Sequence, residues 1–534
     1  MLSQIYYKII YFKILKDIYL YHLENNLADI NYKNLGMFLI ILFGFVLNVI
    51  SMQVVGSSIR NLQGALNVGL DQVSYVMSAY LMAEVVIIPF AGWLSRLLSI
   101  RLLFLIGLSG FLVACIGAAS TSNFYVLVGF RIMQGFFGGA LMPLMFSCIY
   151  ILFTPKQLPF ALALTATIGV SSIAFGPAIG GYMTEMISWR WMFLYNLPIG
   201  IVLLVLAYIF IDLDDKERHL ANQIDYYGIV LLAVGLLLFL ITIQEGSRLD
   251  WYESSVIRIC SILSFTSLLL FFIREFTAKY PIIDLSIFLD RNFSIGCINV
   301  IVFGVSIYAP IFLLPVFLGE VKGLGPWDIG IIVSVMGLSW MGIGPFVGVL
   351  LNIFGARFLI FSGCIFTLIG TWLLLNMTPE FGFKELFWPQ VLRGIGSQLL
   401  WVGNQYIAML FVTKKGIQNA ASLFNLILRL GGAVSIATTN IFLEKLRLMY
   451  YGGISNMLIN GPQIISGFSQ KMESVFKTLP MLSSLNPEYK TILAMELLGL
   501  REGFVMAVNN ITYIIMWVAF IPIILLPFCK MKST

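Results

Sequence analysis

Charge is what this chain has least of. Asp, Glu, Lys and Arg make up 11% of its 534 residues, against about 25% in soluble domains. Hydrophobic residues make up 59%, and the mean hydropathy is +0.94. A soluble fold of this length cannot hide so much apolar surface, so the composition excludes one. The net charge of +6 is no nucleic-acid signature, because the basic residues sit in short loops between apolar runs. Histidine is nearly absent: His22 and His219 both lie outside those runs, which excludes a histidine metal site or proton relay within the membrane. The six cysteines (Cys115, Cys148, Cys260, Cys297, Cys364 and Cys529) fall in or at the ends of apolar runs, without metal-site spacing. They read as small packing residues. There is no GxxxxGK[ST] loop to bind ATP, no nucleophile triad, no metal centre and no cleavable signal peptide. The chain reads as no enzyme, without cofactor.

What is present is a series of runs long enough to cross a hydrocarbon core of about 30 Å. Fourteen are counted, at 36–55, 73–94, 102–120, 124–151, 160–183, 192–211, 226–244, 255–273, 294–318, 329–351, 358–377, 389–412, 419–443 and 505–528. With the N-terminus inside, the cytoplasmic segments hold seventeen Lys and Arg, and the short outer loops hold five. The positive-inside rule therefore places both termini in the cytoplasm. The expected fold is an all-α polytopic membrane protein in the cytoplasmic (inner) membrane.

Two stretches align without a gap. "PFAGWLSRLLSIRLLFL" starts at Pro89 and "PFVGVLLNIFGARFLIF" at Pro345, and both join two spans on the cytoplasmic side. They place Gly92 opposite Gly348 and Arg101 opposite Arg357. Each is followed by a deep arginine, Arg131 and Arg393, and then by a glycine-rich span, "GVSSIAFGPAIGG" and "RLGGAVSIA". Small residues let helices approach closely in lipid, so Gly176, Gly180 and Gly181 mark tight, sliding contacts, and Pro177 loosens the helix by removing one backbone bond. The domain reading follows. Residues 1–35 form a cytoplasmic or interfacial segment and 36–212 a six-helix bundle. A linker with two extra helices occupies 213–290. A second six-helix bundle, 291–528, includes an outward-facing loop at 444–504, and 529–534 is a cytoplasmic tail.

These residues resemble the major facilitator superfamily, specifically its fourteen-span drug:proton antiporters of the EmrB/QacA type. The resemblance covers roughly residues 37–528 and rests on "GWLSRLLSIR", "RIMQGFFGGALMP", "GPAIGG", "SWRWMFLYNLPIG", "QEGSRLDWYES", "PIIDLSIFLDRNF" and "LRLGGAVSIA". It implies a major-facilitator fold, two bundles rocking around a central site, and proton-driven export of lipophilic, often cationic compounds. It gives Gly92, Arg101, Gly176, Pro177, Gly180, Gly181, Gly348 and Arg357 gating or conformational roles. Two positions depart from the pattern. Ser51 stands where the family usually has a first-span aspartate. In the loop, Arg96 stands for an acid or polar residue and Ser99 for a glycine.

With the first-span acid gone, Glu84 is the only carboxylate well inside any span. It lies ~16 Å into the core, near the midplane. Such a residue is a functional-site hypothesis by default: Glu84 exchanges a proton with substrate or relays one, or else it is a static partner of Arg131. Arg131 either tunes the acid and takes part in proton transfer or serves as a hydrogen-bond hub. Arg393 and Arg429 read as structural. The repeat sets Trp340 opposite Glu84, and Tyr80 shares its helix face. Tyr80, Trp340, Asn404 and Gln405 either line a cavity or pack between helices.

The expected function is multidrug efflux by proton antiport, with lipid and a small-molecule substrate as partners. A dedicated metabolite or siderophore carrier is the alternative, and a transport-inactive sensor or scaffold the lesser one. Segment 444–504 reads as a partly helical hairpin or as a docking surface for a periplasmic adaptor.

Overall fold

The computed structural model describes residues 31–154, 164–213, 225–278, 285–412, 417–459 and 487–530, with the single residues 157, 161 and 283. The expected interfacial helix within 1–35 and the middle of loop 444–504 lie outside them. Among the described residues the regular structure is helical.

We label fourteen long helices in chain order. The first six are α1 (Tyr32–Gln53), α2 (Tyr75–Leu98), α3 (Ile100–Ser120), α4 (Phe124–Ile149), α5 (Ser171–Met186) and α6 (Asn196–Phe210). Next come α7 (Tyr226–Gly246) and α8 (Ser255–Thr277). The last six are α9 (Arg291–Glu320), α10 (Pro326–Leu351), α11 (Ile353–Trp372), α12 (Phe383–Met409), α13 (Ile417–Ile459) and α14 (Pro487–Val518). Among the described residues, twelve stretches are long and apolar enough to cross a membrane. The two expected spans outside that set fall on α5, which has 16 residues, and on α12, whose 27 residues include Gln390, Arg393, Gln398 and Asn404.

Local chemistry fixes where several helices begin. Asn31, Ser99, Asn123 and Asp290 each accept a hydrogen bond from a backbone N–H of the first turn of α1, α3, α4 and α9, relieving donors that lipid would leave unsatisfied. Pro326 opens α10 at a position where no N–H is needed. At α12, Glu385 accepts from the Gly382 N–H at 2.8 Å, which holds its carboxyl below the usual carboxylate range.

The internal repeat is visible in the backbone. Ser99 (φ 90°, ψ 154°) breaks α2 from α3, and Gly355 (φ 77°, ψ 168°), its counterpart in the repeat, marks the kink between α10 and α11. Arg101 donates to the Tyr208 carbonyl at 2.7 Å and Arg357 to the Cys529 carbonyl at 2.5 Å. Each thus staples the loop of its own half to that half's C-terminal end, rather than bridging the halves.

The repeat register differs from the sequence pairing at α4 and α12. A Cβ at Gly135 would meet Tyr80 O and Ala83, and one at Gly394 would meet Met336 O and Ser339. Tyr80/Met336 and Ala83/Ser339 keep the register of Pro89/Pro345, so Gly135 matches Gly394. Arg131 therefore matches Gln390, and Gln134 matches Arg393. The pair is exchanged between halves: Arg131 donates to Gln134 Oε1 and Arg393 to Gln390 Oε1, both at 3.0 Å. From either position the guanidinium reaches a serine carbonyl on the first helix of its half, Ser51 O at 3.0 Å and Ser306 O at 3.4 Å.

Between these halves, α7 packs on α2 and α13. It carries α8 outside it, joined by Ser264 Oγ to Gly235 O at 2.8 Å and by Arg274–Asp225 at 3.0 Å.

Candidate functional site

Glu84 sits on α2 at 1% exposure, where the helix is otherwise lined by Tyr80, Val85 and Ile88. Its two carboxylate oxygens have different partners. Oε1 accepts a hydrogen bond from Asn48 Nδ2 on α1 at 2.8 Å. Oε2 faces Arg429 Nε on α13 at 3.4 Å. Neither of those two facing atoms makes a hydrogen bond. The ion pair crosses from the first bundle to the second, so the deep acid lies at the seam between the halves.

Arg429 reaches further across that seam. Its Nη1 donates to Tyr308 OH on α9 at 2.9 Å and to Met52 Sδ on α1 at 2.9 Å, and Nη2 approaches Met142 Sδ on α4 at 3.8 Å. The guanidinium therefore has one carboxylate, one phenol and two thioethers around it. It is 2% exposed, and none of the hydrogen bonds found for it goes to a backbone carbonyl.

Arg131 is held differently. Nε donates to Val76 O at 2.7 Å, Nη1 to Ser51 O and Gln134 Oε1, and Nη2 to Met52 O at 3.4 Å. The group lies 4.3 Å over the Tyr80 ring. This is a hub that ties α4 to α1 and α2. The static Glu84–Arg131 pair, the alternative reading of the sequence, does not form: Glu84 faces Arg429 instead, and Arg131 spends its donors on oxygens of its own bundle. The same contact gives Arg429, read from the sequence as structural, a partner in the first bundle. Asn48, Met52, Met142 and Tyr308 complete the site and were not signalled by the sequence.

The other sequence candidates are placed as follows. Tyr80 OH donates to Asn48 O at 3.1 Å and also to Asn48 Oδ1, so it orients the amide that holds Glu84. Trp340 is buried with its indole N–H unpaired, and Asn404 accepts from Asn299 Nδ2 at 3.2 Å while its own amide N–H groups are unpaired. Gln405 is half-buried. Ser51, at the position of the missing acid, donates to Asn196 Oδ1 at 3.0 Å and lies 3.2 Å from Tyr195 OH. Its side chain is committed to α6 and the turn before it.

The glycines divide by what they allow. A Cβ at Gly180 would overlap Val54 O, and one at Gly176 would meet Gln53 and Ile50 O. Both let α5 lie against the C-terminal end of α1. A Cβ at Gly181 would overlap Pro326 O on the second bundle, and one at Gly330 would press on Pro177 O and Ala178. A Cβ at Gly92 would lie 3.9 Å from Ser422 Oγ of α13, and one at Gly348 would meet nothing within 4 Å. Ser57 Oγ donates to Pro177 O at 2.6 Å. Despite Pro177, α5 runs unbroken from Ser171 to Met186.

A family model described as "Major Facilitator Superfamily" matches residues 41–436. The chain is 31% identical over 426 residues to the "Colistin resistance protein EmrB" of Acinetobacter baumannii, covering 79% of this chain and 83% of that one. It is 26% identical over 467 residues to the "Multidrug export protein EmrB" of Escherichia coli K12, covering 86% and 89%. Among solved structures, an inward-facing bacterial homologue of the human lysosomal transporter Spinster matches with a TM-score of 0.56 at 15% identity, over 94% of this chain and 99% of that chain.

Proposed function

The chain belongs to the Major Facilitator Superfamily, and from that premise we propose that it exports lipophilic or cationic compounds across the inner membrane, driven by the proton gradient. The names of its relatives, a multidrug export protein and a colistin resistance protein, support efflux. The observation that carries the coupling role is the Glu84–Arg429 pair at the seam of the bundles. A proton on Glu84 removes one of the two charges that hold the halves together. A substrate that enters the seam and displaces either partner does the same. With Glu84 protonated, the first bundle carries no charge at the seam as it moves, Arg429 keeps its charge beside Tyr308 of its own bundle, and a proton and a substrate compete to break one contact. The proton-driven cycle uses fourteen spans with both termini in the cytoplasm.

The test is Glu84→Gln in vesicles with an imposed pH gradient. Proton-driven transport should be lost while the protein still inserts. The doubly neutral Glu84→Gln/Arg429→Gln variant controls for folding, because it leaves no buried ion unpaired. Normal proton-driven transport by either variant sinks the coupling role.

A dedicated carrier for one metabolite or chelator is favoured by one observation. Ser51 is bound to Tyr195 and Asn196, so α1 offers no acid where the multidrug pattern has one. A growth-inhibition panel of cationic dyes in a pump-deficient host separates the two, since protection against none of them favours the carrier. The adaptor reading is supported by α13, whose 43 residues extend ~64 Å, about twice the hydrocarbon thickness. Its C-terminal end pairs with α14 through Tyr451–Glu496 at 3.3 Å, forming an outward arm for such a partner.

A further inference from the structure

The repeat gives the Glu84 site a counterpart at the other seam between the bundles, where α5 meets α10. In the register of Pro89 and Pro345, Glu84 of α2 corresponds to Trp340 of α10. A Cβ at Gly432 of α13 would meet the Tyr308 ring, and one at Gly176 of α5 would meet Gln53 Cβ. These contacts match Gly432 with Gly176 and Tyr308 with Gln53, and hence Arg429 with Ile173. The spacing agrees with the match of Ser51 to Ser306 on the same two helices. One seam therefore holds an acid, a guanidinium and a phenol, and the other an indole, an isoleucine and an amide. The polar groups of this second set are unspent. Gln53 is fully buried with its amide oxygen and nitrogen both unpaired, and among the described residues no other side chain has two buried atoms in that state. Trp340 is 1% exposed and its indole N–H is unpaired, so the two are not bonded to each other. Both lie along one stretch of chain. Gln53 packs at Gly176, and Trp340 lies between Gly330 and Gly344, where a Cβ would press on Pro177 O and on Thr167 just before α5. Protein interiors rarely leave such groups without partners, and a ligand that binds them is one explanation.

We propose that Gln53 and Trp340 form a neutral recognition site for uncharged lipophilic carboxamides, apart from the Glu84–Arg429 pair; this rests on the transport reading above. The Gln53 amide offers an acceptor and two donors, and the indole offers one donor. A carboxamide matches both: its N–H donates to Gln53 Oε1, and its carbonyl accepts from Trp340 Nε1. An ion meets no countercharge at Gln53, Ile173 or Trp340, whereas a few polar groups in an apolar surround orient a neutral ligand. Gln53 belongs to the first bundle and Trp340 to the second. A bound carboxamide therefore joins the halves by hydrogen bonds, as the ion pair does at the other seam.

The experiment is equilibrium binding of radiolabelled decanamide to the full chain in nonionic detergent, with unlabelled decanamide and methyl nonyl ketone as competitors at matched free concentration. The two competitors differ only in an amino group against a methyl group. Decanamide should compete roughly fivefold better, the ratio that one net hydrogen bond supplies. Gln53→Met, close to the same shape, should abolish that preference, because it removes the acceptor for the amide N–H. It exchanges an unpaired buried amide for an apolar group, so the apparent Tm should hold or rise, which separates a lost preference from lost folding. Trp340→Phe should weaken both competitors by a similar factor, because both carry the carbonyl, and should keep the preference. Equal competition by amide and ketone in the unaltered protein overturns the proposal. So does an undiminished preference in Gln53→Met, or undiminished binding of both compounds in Trp340→Phe. The binding result stands apart from the vesicle assay. Normal proton-driven transport by Glu84→Gln removes the coupling role and leaves the amide site to be decided by decanamide.

Discussion

Ser99 carries a backbone conformation that usually belongs to glycine. Its φ of 90° and ψ of 154° lie in a region that costs a residue with a side chain about 1–3 kcal/mol. Gly355 occupies the matching place in the repeat without that cost. Part of the cost is offset, because Ser99 Oγ accepts from Leu102 N at 3.2 Å and caps α3, a contact worth about 1 kcal/mol. Ser99→Gly should therefore raise the apparent Tm in detergent slightly, by the equivalent of about 1 kcal/mol. Gly355→Ala should lower it by about 1–3 kcal/mol. A stabilising Gly355→Ala would show that the loop can relax. At this scale the sequence was informative about the acid and silent about its partner. Glu84 stands out as the one carboxylate in an apolar run, which takes no knowledge of the fold. The choice among three deep arginines depends on which helix faces meet across the two bundles. No local spacing encodes that.

Helix α5 shows how two adjacent glycines serve different contacts. Gly180 faces Val54 O within the first bundle, whereas Gly181 faces Pro326 O of the second. Backbone oxygens cannot rotate away, so a methyl group at either position must push a helix. Gly180→Ala should loosen α5 from α1 and lower the apparent Tm by the equivalent of roughly 1–3 kcal/mol, the usual cost of overpacking. Gly181→Ala should leave each bundle intact and instead force the halves apart at that end. Its Tm should fall less, while transport falls by about tenfold, or ~1.4 kcal/mol of misplaced equilibrium. Equal stability losses with equal transport losses would remove the distinction. The elements themselves were legible: each expected span carries a helix, and the glycine-rich motif does lie at a close helix contact. The register of the second half was less legible. "RIMQG" and "QVLRG" carry the same residue types in reversed order, so matching arginine to arginine shifts α12 by nearly one turn against its true counterpart. Only the helix contacts of Gly135 and Gly394 reveal the exchange.

Across the whole molecule, the polar ties between the two bundles are uneven among the described residues. At the end with Arg60 and Glu185, Arg60 Nη1 donates to Gly319 O at 2.7 Å, and the Trp327 N–H donates to Glu185 Oε2 at 3.0 Å. Nearby, Asn440 Nδ2 donates to Ser74 Oγ at 3.3 Å. The Glu84–Arg429 pair lies in the middle. At the opposite end, α2 and α13 meet at Gly92 and Ser422, where a Cβ on the glycine would lie 3.9 Å from the serine oxygen. That is a van der Waals contact with no charge in it. Net hydrogen bonds contribute about 1 kcal/mol each, so separation beginning at the Gly92 end costs less than separation beginning at the Arg60 end. The difference, about 1–3 kcal/mol, corresponds to roughly five- to 150-fold in population. Ser422→Cys should therefore react with a membrane-permeant maleimide at least about fivefold faster than Asn440→Cys. Arg60→Ala should narrow that gap, because it removes one of the ties that hold the Asn440 end shut. A gap that is absent in the unaltered background, or unchanged by Arg60→Ala, would mean that the polar ties do not set which end opens. Cysteines in place of Gly92 and Ser422 would face each other, since a Cβ at Gly92 would lie 3.9 Å from the Ser422 oxygen, and a disulfide between them tests whether this end opens. If opening at that end belongs to the cycle, this bond should stop transport under oxidation and release it on reduction. Undiminished transport in the oxidised double-cysteine protein would show that the Gly92 end stays closed throughout the cycle.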